Sequence, residues 1–213
     1  MEARSDTTSG HYDRVTIQRH QRQEQVCDHL LGIFSDKEFC DVEISCYETV
    51  FPCHRLVLAA NSPVFRAMLL ADMIENKTKT IIIEDSKPET VAAMLGFIYT
   101  GDIADGKLSE LARDLLEVAD KYDLGFLRTV CEDKLCSTLE VENSIECLVL
   151  GDMYHAFKLK QMALYIVANN LEKIVATDVY RDLLRQKPEL ALDLANLANS
   201  KIHLLDEVKK ELS

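Results

Sequence analysis

Cys53, His54 and Arg55 stand side by side in the stretch FPCHRLVLAANSPVFRAM (51–68), and a thiol beside an imidazole is the pairing from which thiol nucleophiles are built. That chemistry requires the two side chains to meet. Neighbouring residues point to opposite faces of a strand and stand about 100° apart on a helix, so Cys53 and His54 are turned away from each other in either element. The sequence therefore predicts His54 as a hydrogen-bonded histidine at the lip of a core.

The other reactive residue types are as unpromising. Seven cysteines (Cys27, Cys40, Cys46, Cys53, Cys131, Cys136 and Cys147) contain no Cys-x-x-Cys pair, and the six histidines are scattered, without ligand spacing to Cys, Asp or Glu. Seven glycines form neither a phosphate-cradling loop nor a Gly-x-Ser-x-Gly elbow. The expectation is a non-enzyme with no catalytic residue, no metal and no cofactor. An odd set of thiols, several in apolar stretches, predicts reduced cysteines in the nucleus and/or cytoplasm.

Charge narrows the partners. A formal net charge of −12 over 213 residues, with no tryptophan and little basic clustering, opposes a phosphate backbone, so no nucleic-acid partner is expected and a protein partner is. No apolar run approaches the roughly 20 residues that span a bilayer, and no leader pattern follows Met1, so no membrane partner is expected either. Asp41 and Arg55 are the charges to watch. If the helix starting near His54 packs under the hairpin that Asp41 opens, the two would meet near the centre of the fold as a structural charge pair, since either alone would be costly to bury.

The elements that position these residues change character along the chain. Residues 1–20 are polar and lack sustained periodicity, apart from Val15 and Ile17, which could add a short strand if docked. Val26, Leu30, Ile33 and Phe34 recur at helical spacing. Val42, Ile44 and Cys46 alternate as in a strand, a second short strand at 49–51 makes a hairpin, and 80–84 reads as a strand apolar on both faces. Ser62-Pro63 starts one helix, with Val64, Ala67 and Met68 as its stripe, and Leu56, Val57 and Ala60 are expected in the core. Pro88 starts another, with Val91, Met94, Leu95 and Ile98 facing inward and Gly101 as its stop. From about residue 108 only helical stripes remain: 108–119, 127–135, 141–149, 159–166 and 190–197.

The runs FCDVEI (39–44), 51–68, FIYTGD (97–102) and LEVADKYDL (116–124) resemble the BTB/POZ domain. The continuation CEDKLCSTLEVENSIECLVLGDMYHAFKLKQMALYIV (131–167) resembles the 3-box and BACK extension of speckle-type POZ protein and its MATH-BTB relatives, and the likeness runs from about residue 22 to 200. The implied fold class is α+β: a BTB/POZ fold, with a small mixed sheet flanked by helices, followed by an all-α helical-hairpin BACK-like region. The implied divisions are an arm at 1–20, a BTB/POZ domain at 21–125, a 3-box/BACK-like region at 126–201 and a tail at 202–213.

Function follows from the resemblance alone. That family dimerises and holds the N-terminal domain of cullin-3, presenting protein substrates to a ubiquitin ligase. Its cullin-contacting pattern of apolar residue, any residue, then Glu is matched by Met73 and Glu75, and its second contact by Tyr99; Val26, Leu30 and Ile33 fall at the twofold interface. Residues 1–20 are too short for the family's MATH domain, so the chain is expected to be either a fragment or a short form that pairs with itself or with related BTB proteins. The alternatives are a dimerisation module of the transcriptional-regulator type and a regulatory heterodimer partner of MATH-BTB proteins.

Overall fold

The computed structural model describes residues 22, 25–70 and 79–196. These fall into two compact units: residues up to 107 with 121–124, and 108–120 with everything from 125 onward.

The first unit begins with helix α1 (25–35) and a three-stranded sheet in the order β2-β1-β3. Strand β1 (Val42–Cys46) pairs antiparallel with β2 (Thr49–Cys53), Val42 opposite Cys53 and Ile44 opposite Phe51, and parallel with β3 (Thr80–Ile82), Ile44 opposite Ile81. The alternation read from the sequence is realised: Val42, Ile44 and Cys46 are all buried. Pro52 has no N–H for a ladder, and it lies on an edge strand where that omission is tolerated.

Two expectations need correction here. β3 is not apolar on both faces in use: Ile81 and Ile83 are buried, but Ile82 is 67% exposed, because an edge strand covered on one side buries only alternate residues. In α2 (Arg55–Asn61) it is Leu58 that enters the core, while Leu56 is 80% exposed, Ala60 is exposed and Val57 is half-buried. Seven residues that are apolar nearly all round carry no periodicity to say which face turns inward.

Helix α3 (Pro63–Leu70) starts as its Ser-Pro pair dictates. The Ser62 Oγ accepts from the Phe65 N–H at 3.0 Å and donates to the Tyr122 carbonyl at 2.6 Å, so one buried hydroxyl both caps the helix and anchors it. Its buried residues are Phe65 and Leu69, one position on from the expected stripe, and Phe65 stacks on Tyr122 at 4.4 Å. Helix α4 (Pro88–Thr100) buries Val91, Met94, Leu95 and Ile98 as read, and ends at Gly101, whose φ of 75° is the left-handed conformation glycine adopts without strain.

Helix α5 (Asp105–Lys121) runs on into the second unit, which is built of α6 (Gly125–Ser137), α7 (Ser144–Met153), α8 (Phe157–Asn169), α9 (Leu171–Ile174), α10 (Asp178–Gln186) and α11 (188–196). Helix α10 was not anticipated; Leu183 is its buried residue, too little for an apolar stripe. The Glu132 carboxylate of α6 accepts from the Leu159 N–H at 3.0 Å, capping the start of α8 from outside that helix. Lys160 of α8 reaches Asp152 of α7 at 2.9 Å and Asp193 of α11 at 3.7 Å, while Lys187 reaches Asp152 at 3.4 Å.

Two tests follow. A Cβ on Gly151 would meet the Lys160 backbone N at 2.7 Å, so α7 and α8 approach more closely than any other residue allows. Gly151→Ala is expected to lower unfolding stability by about 1–3 kcal/mol in urea titration, since backbone cannot yield as a side chain can. The hydrogen bond from Lys160 holds the Asp152 carboxyl below its ordinary range. A depressed carboxyl contributes its stability above the unfolded value of roughly 3.9 and loses it as pH falls through the folded value. Acid titration of unfolding should therefore show stability falling below about pH 4, by less in Asp152→Asn than in the wild type.

Candidate protein-interaction site

His54 is the N-cap residue of α2 and sits where the end of β2, the turn after α1 and helix α4 converge in the first unit. Its backbone N–H donates to the Tyr99 hydroxyl at 3.0 Å. Its ring Nδ1 lies 2.7 Å from the same hydroxyl, and its Nε2 lies 2.7 Å from the Glu38 carbonyl. Tyr99 is only 2% exposed, with Phe34 of α1 stacked on one side at 4.3 Å and the His54 ring edge-on at 5.8 Å. Burial pushes the Tyr99 phenol up, which keeps it protonated.

Cys53 does not join this arrangement. Its thiol donates to the Phe51 carbonyl at 3.3 Å, and burial pushes it up to about 12. Cys40 is the thiol that comes near His54, at 4.0 Å, and it too is pushed up, by burial and then by Asp41. A raised thiol beside an imidazole already bonded at both nitrogens is not an activated nucleophile. Among the described residues no group of three or more His, Cys, Asp or Glu could hold a metal ion, and no helix is long and apolar enough to cross a membrane.

Asp41 and Arg55 do come together, in a different way from that expected. The bond between them is from the Arg55 backbone N–H to the Asp41 Oδ1 at 2.7 Å, so Asp41 caps the first turn of α2, and it is exposed. The Arg55 guanidinium donates to the Leu69 carbonyl at 2.6 Å, at the end of α3. The carboxylate thus offers α2 the N-terminal acceptor that His54 does not supply from its side chain.

Beside this polar chain lies an apolar groove of about 250 Å³, lined by Leu30, Ile33, Phe39, Leu56, Val57 and Tyr99, with Asp41 and His54 at its edge. Its flanks project: Phe39 is 84% exposed at a φ of 57°, and Leu56 is 80% exposed. Of the residues that the resemblance put at a twofold interface, Leu30 and Ile33 line this groove and are half-buried, and Val26 is 50% exposed. Tyr99, expected at a partner surface, is instead interior, where its ring forms the floor. Met73 and Glu75 lie outside the described residues. Phe39 and Leu56 were missed as surface residues; for Phe39 the available signal was a lone aromatic in the polar turn SDKEFCD (35–41).

An α+β domain with closed polar chemistry and an open apolar face defines a protein-association module. The BTB/POZ domain model matches residues 30–139, and the chain belongs to that family. It is 36% identical over 163 residues to TD and POZ domain-containing protein 5 of Mus musculus, covering 76% of this chain and 48% of that protein. It is 34% identical over 180 residues to TD and POZ domain-containing protein 1 of the same organism, covering 84% and 49%. The chain thus spans about half the length of these curated relatives. Among solved structures, the BTB domain of human gigaxonin is similar at 23% identity and a TM-score of 0.46, covering 65% of this chain and 98% of that one.

Asp41→Ala removes the acceptor at the start of α2 and is expected to lower stability by about 1 kcal/mol, the usual loss at a helix N-cap, as read by chemical denaturation.

Proposed function

We propose that this chain is a non-catalytic adapter that self-associates through the α1–α2 face and binds the N-terminal domain of cullin-3, presenting protein substrates for ubiquitination. The observation that carries self-association is the apolar groove at Leu30, Ile33, Leu56 and Val57, which the described residues leave open. An apolar surface so exposed on one chain is stabilised by a partner that removes it from water, and a second copy brings the same face. Family membership supports the reading, because BTB/POZ domains self-associate or bind partners.

The cullin-3 half rests on the resemblance at Met73 and Glu75, an apolar knob followed by a carboxylate acceptor, with the helices from residue 142 to 167 as its 3-box-like continuation. Tyr99, the second contact that the resemblance implies, is interior in this chain and is not carried into the proposal. The BTB/POZ domain is assigned to 21–125 and the 3-box/BACK-like region to 126–201, and the setting is the nucleus and/or cytoplasm. Calorimetric titration of the chain against the cullin-3 N-terminal domain tests it. Saturable binding is expected, lost by at least ten-fold in a Met73→Ala, Glu75→Ala double variant of unchanged mass in solution; no heat from the wild type would reject the cullin-3 assignment.

A further inference from the structure

The His54–Tyr99 contact belongs to no motif for binding, yet its geometry selects one tautomer of the neutral ring. The Glu38 carbonyl has no hydrogen, so the His54 Nε2 at 2.7 Å must be the protonated nitrogen. In the neutral ring Nδ1 is then a bare acceptor, and the Tyr99 O–H donates to it across 2.7 Å. The same hydroxyl oxygen accepts the His54 backbone N–H at 3.0 Å. The Glu38 carbonyl also accepts from the Cys40 thiol at 3.8 Å, and one tautomer satisfies the whole chain.

Geometry gives this chain a task. Glu38 immediately precedes Phe39, whose backbone is held at a φ of 57° and whose ring stands 84% exposed at the rim of the groove. A positive φ at a bulky residue is unfavourable unless surrounding bonds fix it. Those bonds are the Glu38 N–H to the Ile33 carbonyl at 3.1 Å, the Lys37 N–H to the Phe34 carbonyl at 3.2 Å, and the His54 Nε2–H to the Glu38 carbonyl. The first two belong to the end of α1; the third ties the turn to the body of the domain. Phe34 stacked on Tyr99 fixes the ring that forms the groove floor.

We propose that His54, locked as the Nε2–H tautomer by Tyr99, is a positioning residue that holds Phe39 and the groove floor in the shape that a second copy of this chain docks on. The inference rests on the self-association reading and adds to it the residue pair that sets the tightness of the dimer. Neither His54 nor Tyr99 is an anchor; both act through Phe39 and through the floor.

Two measurements test it. In chain labelled with 15N-histidine, the His54 ring, assigned by the signals lost in His54→Gln, should show a protonated Nε2 and an unprotonated Nδ1 at neutral pH. An Nδ1–H tautomer, or rapid averaging of the two, in the wild-type chain overturns the locked chain. In Tyr99→Phe, sedimentation velocity should show the dimer dissociation constant raised about ten-fold, because the turn carrying Phe39 is no longer held in its docking shape, with the His54 ring released into tautomer averaging. A dimeric wild type whose Tyr99→Phe variant dimerises equally tightly overturns the positioning role alone, whereas a wild type monomeric at every concentration overturns the self-association reading beneath it.

Discussion

Tyr99 is a large polar-tipped side chain buried to 2% exposure, and the first unit is arranged around satisfying its hydroxyl. A phenol taken out of water without a partner would destabilise the fold by a few kcal/mol. The partner is His54, and serving it brings together three pieces distant in sequence: α4, the β2–α2 junction and the turn after α1. Once those are fixed, the faces of α1 and α2 that remain uncovered are determined as well. Interior polarity in this domain thereby sets which apolar residues are left outside.

Helix starts obey a related constraint. The first N–H groups of a helix need acceptors, and here several come from elsewhere in the fold: Asp41 for α2 and Glu132 for α8. Ser62 uses one hydroxyl to cap α3 locally and to reach the Tyr122 carbonyl. Caps supplied from a distance make secondary structure conditional on tertiary structure, so neither α2, with seven residues, nor the start of α8 is expected to form in isolation.

What was legible in the sequence had local physics behind it. The period-two pattern at Val42, Ile44 and Cys46, the Ser62-Pro63 start and the Pro88 to Gly101 span each depend on residues within one element, and each was found where read. The family likeness supplied the fold class. The face of α2 was illegible because Leu56, Val57, Leu58 and Ala59 offer no polar side to exclude, and β3 because three consecutive isoleucines do not reveal that the strand is an edge. Tyr99 was misplaced at a surface because an amphipathic ring suits an interface and an interior equally, and only the non-local hydroxyl partner decides between them. For Asp41 and Arg55 charge suggested an ion pair, whereas the bond between them runs from the Arg55 backbone N–H to the Asp41 carboxylate.

The groove that results has an aromatic at its rim, a tyrosine as its floor and Leu56 standing free beside it. Its polar chain is complete, and among the described residues its apolar lining is left open. Sedimentation equilibrium of the wild-type chain beside Leu56→Arg tests this most directly, since an exposed residue can be changed without disturbing the core. A wild-type mass of two chains that falls to one chain in the variant, with unchanged thermal unfolding of the isolated protomer, is the predicted result; a wild-type mass of one chain, or a Leu56→Arg dimer as stable as the wild type, would contradict a dimer built on this face.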